Sequence, residues 1–143
     1  MCRHKNIEGY SDPTAGTAVS RVMKEYNAEK QRISNAKNRK KIYVVSKYAG
    51  NISVNTKNAA RYCRYIIDQG FMPIASHLLY PQFLNDESKE ERELGTAFGL
   101  SLLAICDEVW VFIDGQISSG MKQEIEEANR LKIPVKRLNM GVS

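Results

Sequence analysis

The sequence is short of most features that announce a function. It has no apolar run approaching the roughly 18 residues needed to cross a bilayer, and its first ten residues, MCRHKNIEGY, lack the apolar stretch of a secretory leader. The expectation is therefore a cytoplasmic chain with no membrane partner. Its three cysteines, Cys2, Cys63 and Cys106, are odd in number and far apart, which suits neither a disulfide framework nor a zinc site. Only two histidines occur, His4 and His77, so no metal centre is expected. Neither Gly-x-Gly-x-x-Gly nor Gly-x-x-x-x-Gly-Lys-Ser/Thr is present, which sets aside dinucleotide and phosphate-loop chemistry of those kinds and leaves no cofactor expected.

What is there begins with charge. The chain of 143 residues carries a formal net charge of +5, which first suggests nucleic acid. Residues 1–40, however, hold nine Lys/Arg against four Asp/Glu, and residues 41–143 hold twelve of each. The excess belongs to the N-terminal segment, and the neutral remainder shows no basic stripe interleaved with aromatics, which argues against a nucleic-acid reader. The division proposed is residues 1–40 as a tail and basic amphipathic helix, and residues 41–143 as one folded domain.

In the first part, Ser11-Asp12-Pro13 offers a capping side chain followed by proline at the first helical position. Ala15, Ala18, Val19, Val22, Tyr26 and Ile33 then keep a 3–4 spacing to about Asn35, predicting an amphipathic helix whose apolar face needs cover from the domain or from another subunit. Lys37, Arg39, Lys40 and Lys41 read as a solvated basic turn at its negative end.

The domain alternates. Ile42–Ser46 predicts a strand, Asn55–Gln69 a helix stopped by Gly70, and Phe71–Ser76 a second strand that Pro73 confines to a sheet edge. An apolar and aromatic loop, residues 77–84, follows. Ser88 with Glu91 three residues on matches a capping box, opening a helix to about Ile105 whose buried face is expected at Leu94, Ala97, Phe98, Ser101, Leu102 and Ile105, with Gly95 and Gly99 admitting a close neighbour. Glu108–Ile113, Gly120–Leu131 and Ile133–Leu138 complete the series. The pattern predicts an α/β fold: a three-layer sandwich with a mostly parallel sheet, flavodoxin-like or Rossmann-like, preceded by the N-terminal helix.

The stretch DEVWVFIDGQISSGMKQEIEEAN, residues 107–129, carries the strongest functional signal. A strand there ends at Asp114-Gly115 and a helix opens after Ser118-Ser119-Gly120, at the strand end where open α/β sheets bind ligands. At 100° per residue Met121, Ile125 and Ala128 share one face, and Glu124 falls inside it. Two readings stay open. An inward carboxylate with a raised pKa can serve as nucleophile, base or hydroxyl acceptor, or the acid can complement the helix dipole and reach water. Likewise His77 either orders its loop or meets a ligand at the edge it shares with Tyr48 and the 116–120 loop, and Asp114 reads more readily as a turn residue than as a hydroxyl acceptor.

On YVVSKYAGN, PIASHLLYPQFL and CDEVWVF…SSGMKQEIEEA, residues 42–138 resemble the nucleoside 2-deoxyribosyltransferase superfamily, most closely its small bacterial and phage relatives. The resemblance implies that Glu124, in the Gly-x-x-x-Glu at the helix start, is the nucleophile that attacks the anomeric carbon of a sugar. It implies that Ser46 and Tyr48 in the first loop, and Asp114 and Ser118 in the polar loop, hold sugar or phosphate. His77, Ser119, Gly120 and Met121 complete the candidate ligand-binding set. One departure stands out: the transferases carry a further acid on the helix before the third strand to handle the departing base, and this chain has none between Leu94 and Cys106.

The resemblance implies a nucleoside or nucleotide ligand and a homo-oligomer in a bacterial host cell, and it leaves two functions. The domain either cleaves or exchanges an N-glycosidic bond, or it is an inactive phage-type sponge, an anti-defence protein sequestering a nucleotide immune signal such as a cyclic ADP-ribose. DNA binding by the basic tail is the third and weakest option.

Overall fold

The run of β-branched and aromatic residues after the basic turn forms the strand around which the domain is built, β1 (Lys41–Val45). The computed structural model describes residues 13–140, with side chains from Thr17 onward. It divides into two compact units, residues 1–38 and 39–143. In the first, α1 (Pro13–Lys37) begins at the proline, while Ser11 and Asp12, the expected cap, lie outside the described residues. Within this unit Val19, Val22, Tyr26 and Ile33 form an exposed apolar face.

In the second unit the elements follow as α2 (Ile52–Asp68), β2 (Met72–Ile74), α3 (Lys89–Ala104), β3 (Glu108–Ile113), α4 (Ser119–Arg130) and β4 (Val135–Asn139). The strands form one all-parallel sheet in the order β2-β1-β3-β4. β2 is an edge strand of three residues with Pro73 in it, where a missing N–H costs little.

The two central strands are buried on both faces, and their alternation sorts the core into two layers. Tyr43, Val45, Val109 and Val111 pack against Leu103 and Cys106 on one side and against Met121, Ile125 and Ala128 of α4. Ile42, Val44, Trp110 and Phe112 pack on the other face against Tyr62 and Ile66 of α2. Tyr62 and Phe112 stack with centroids 4.4 Å apart.

Capping chemistry sets the helix limits. α2 starts three residues earlier than expected because Asn51 Oδ1 accepts from the Val54 N–H, and Asn55 instead donates to the carbonyls of Tyr48 and Ala49, pinning the loop before the helix. α2 and α4 end alike. In each, the last bonds run from the second residue past the cap back to the fifth before it, Phe71 N–H to Ile66 and Ile133 N–H to Ala128, with the residue between at positive φ. That residue is Gly70 in α2 and Lys132 in α4.

The buried face of α3 is a correction. Leu94, Phe98 and Ile105 are exposed, as are Ala97 and Ser101, and the inward line runs through Gly95, Gly99, Leu102 and Leu103. The cause is distance. A Cβ on Gly99 would sit 3.0 Å from Ser76 Oγ and 3.2 Å from the Tyr43 hydroxyl, so α3 lies too close to the sheet for a side chain there, and its larger apolar groups turn outward.

Gly99→Ala is therefore expected to destabilise the domain by about 1–2 kcal/mol through overpacking, despite alanine's better helix propensity. At Gly95 the added methyl meets only Leu84 at an ordinary 3.5 Å, so Gly95→Ala should be neutral or stabilising by up to about 1 kcal/mol. Denaturant melts of the two variants give the comparison. Equal effects would show that α3 is not held at close approach by Gly99.

Candidate functional site

The carboxyl end of β1 feeds three hydrogen bonds into the segment that follows the edge strand. Tyr43 and Ser76 share one at 2.8 Å, Ser46 Oγ and His77 Nε2 another at 2.9 Å, and the Tyr48 hydroxyl donates to Asp86 Oδ2 at 2.7 Å. Short 3-10 turns at Ser76–Leu78 and Tyr80–Gln82 carry that segment away from the sheet. Beneath it, a cavity of about 430 Å³ opens between β1, α3 and the start of α4, walled among others by Tyr43, Tyr48, His77, Tyr80, Gly120 and Glu124. This volume lies in the range of small-molecule sites.

Glu124 is where the helical stripe placed it, one turn into α4 between the buried Met121 and Ile125. Burial pushes its carboxyl up to about 7, against a partial pull downward from a hydrogen bond of the Tyr43 phenol. Oε2 is buried with no hydrogen-bond partner among the described residues, an arrangement that ordinarily costs stability. The Tyr43 phenol is itself held far above its usual range by burial and by the neighbouring carboxyl, so it stays a proton donor. Burial also lowers His77 to about 4, which keeps its imidazole neutral at physiological pH. Tyr48 is raised to about 12, by burial first and then by Asp86.

The structure gathers Tyr48, His77, Gly120 and Glu124 on the cavity wall. It does not bring the other candidates there. Ser46 is only 6% exposed and sits behind His77, holding its Nε2. Ser118 caps α4 by accepting from the Met121 N–H, and Ser119 is exposed in the first turn. Met121 is 1% exposed within the core. Asp114 is an exposed turn residue before Gly115, whose positive φ makes the turn, and Lys47 Nζ reaches over it. Among the described residues no group of three potential ligands is placed to hold a metal, and no helix is long and apolar enough to cross a membrane.

Sequence reasoning missed four wall residues with chemistry to offer. Tyr43 reads in sequence as one more apolar strand position. Asp86 and Glu91 are two acids on the wall, one before α3 and one in its first turn; Glu91 belongs to the capping box, whose serine half is made, but its Oε1 accepts from the Asn85 N–H instead of from the cap residue. Arg92, the next residue, also lines the cavity. The signal that could have found the acids was the apolar loop itself, since long loops at this end of a parallel sheet often wall a site.

The parallel sheet, its flanking helices and a ligand-sized hollow beside the start of α4 define an α/β domain of the 2-deoxyribosyltransferase-like fold. Residues 40–138 match the family described as Domain of unknown function (DUF7768), and the chain belongs to that family. Among solved structures it is similar to the 2-deoxyribosyltransferase of Bacillus psychrosaccharolyticus, with 19% identity and a TM-score of 0.57 over 68% of this chain and 70% of that one. A conserved protein of Enterococcus faecalis V583 is similar at 20% identity and a TM-score of 0.50, over 69% of this chain and 62% of that one. At this identity the likeness is one of fold. No curated protein matches the chain.

A carboxyl that titrates near 7 when folded and near its ordinary 4.5 when unfolded binds its proton more tightly in the native state. Stability from this group is therefore present below pH 4.5 and is lost as pH rises through 7. Glu124→Gln removes the dependence. It should gain on the wild type between pH 5 and pH 8 by roughly 1–3 kcal/mol, read by denaturant melts at both pH values. The opposite titration of His77 is common to both proteins and cancels. A gap that does not widen with pH would mean that the carboxyl is not desolvated.

Proposed function

We propose that the cavity binds a nucleoside or nucleotide and that Glu124 attacks its anomeric carbon, so that the domain cleaves or exchanges an N-glycosidic bond. The observation that carries this is the buried, unpartnered oxygen of Glu124 on the wall of a ligand-sized cavity. An oxygen without hydrogen bonds has none to give up before it forms a bond.

In the reaction the C1′–N bond breaks and its electron pair leaves with the base, while a Glu124 oxygen bonds to C1′ through an oxocarbenium-like state. The departing base takes a proton from water. Water or an acceptor base then displaces the carboxylate. The fold of a 2-deoxyribosyltransferase supports this chemistry, and Tyr48 and Tyr80 give the base aromatic surface on the same wall. Only ionised Glu124 attacks, so kcat/KM should rise with pH through about 7.

The test is incubation of the purified chain with deoxynucleosides, nucleoside monophosphates and ADP-ribose-type nucleotides, with free base measured by chromatography. Release should fall by about a thousandfold or more in Glu124→Ala. A sponge for a cyclic ADP-ribose-type signal predicts the reverse: the ligand returns intact from denatured protein after long incubation, and Glu124→Ala still binds it. That result would remove the enzymatic reading for that ligand.

A further inference from the structure

The cavity does not end at Glu124. Between α3 and α4 an open groove of about 530 Å³ adjoins it, and Arg92, Thr96, Leu100 and Gln123 line both. The two spaces differ in charge. The cavity holds the carboxyls of Asp86, Glu91 and Glu124 against the single cation Arg92, whereas the groove adds Lys89 to Arg92, with only Glu93 opposing them. Lys89, Arg92 and Thr96 follow one another at helical spacing along the first turns of α3, and Gln123 comes from α4. Neither Lys89 nor Arg92 enters an ion pair among the described residues, and both side chains are exposed.

A ligand that fills both spaces therefore has an uncharged part that tolerates three carboxyls and an anionic part continuous with it. We propose that the groove takes the phosphate of a nucleoside 5′-phosphate whose base and sugar occupy the cavity. The inference rests on the nucleoside reading of that cavity and narrows the ligand to a nucleotide. A phosphate inside the cavity proper would face three acids. In the groove the planar guanidinium of Arg92 offers paired donors that match phosphate oxygens. The Lys89 ammonium adds charge, and the Thr96 hydroxyl and Gln123 amide add neutral donors. Glu93 cancels one of the two positive charges, so the groove alone is a weak anion site and depends on the bound nucleoside for its occupancy.

Calorimetric titration of the full chain with thymidine, deoxyadenosine and their 5′-monophosphates tests the assignment. Each monophosphate should bind about tenfold or more tightly than its nucleoside, the scale of a charge-assisted hydrogen-bonded contact. Added salt should narrow that ratio, and the double variant Lys89→Ala/Arg92→Ala should collapse it. Nucleosides binding as tightly as their monophosphates would overturn the phosphate assignment and leave the cavity reading standing. So would a monophosphate preference that survives the double substitution. If neither nucleosides nor monophosphates bind, the nucleoside reading falls and the groove assignment with it.

Discussion

The burial of one carboxyl group constrains more of this domain than any other interaction. Glu124 sits in the apolar stripe of α4 because Met121 and Ile125 on either side are packed into the core, so the helix presents its carboxyl to the cavity wall. Its neighbour Tyr43 comes from the middle of the central sheet, and Tyr43 in turn has room only because Gly99 brings α3 past it without a side chain. Three elements thus converge on a single acid. The site is part of the core packing, and the inversion of α3, with its leucine and phenylalanine outside, is what this convergence costs in exposed apolar surface.

A second constraint follows from the shortness of the edge strand. β2 pairs with β1 over three residues, so the ladder gives little hold on the chain beyond Ile74. The bonds from Tyr43 to Ser76, Ser46 to His77 and Tyr48 to Asp86 take its place, tying the far wall of the cavity to the strand and loop that form the near one. All three pairs use a residue that also lines the cavity. The wall is consequently held by the same groups that would meet a ligand, which is how a loop at the end of a sheet acquires a defined shape.

Much of this was legible in the sequence, and the failures share a cause. The strands announced themselves as β-branched and aromatic runs, Pro73 marked the edge, and the stripe of Met121, Ile125 and Ala128 located α4 and its inward Glu124. Periodicity reports which residues are apolar, however, and not how near the next layer lies. It therefore placed Leu94 and Phe98 inside when the approach at Gly99 required glycine there. The same blindness hid Tyr43, whose ring is a core residue while its hydroxyl belongs to the site. Ser118 and Met121 were named for their place beside the glutamate, but a capping hydroxyl and a packed thioether have their bonding decided by the helix itself.

The three carboxyls of the cavity also sort themselves by what already binds them. Asp86 accepts a hydrogen bond from the Tyr48 hydroxyl, and Glu91 accepts one from the Asn85 N–H. Each has an oxygen committed to holding its own loop. Glu124 has Oε2 committed to nothing, in a setting that favours its neutral form. An oxygen that already accepts a hydrogen bond must weaken it to form a new bond, whereas a desolvated oxygen with no such bond gains by any contact that spreads its charge. Under the proposed chemistry, a carbon acquiring positive character beside Oε2 would provide such a contact, and ionised Glu124 would be more stable with it than without it. In the reaction we propose, the same desolvation that burdens the protein at high pH would become, with an oxocarbenium-like centre in the cavity, a preference for the transition state over the ground state.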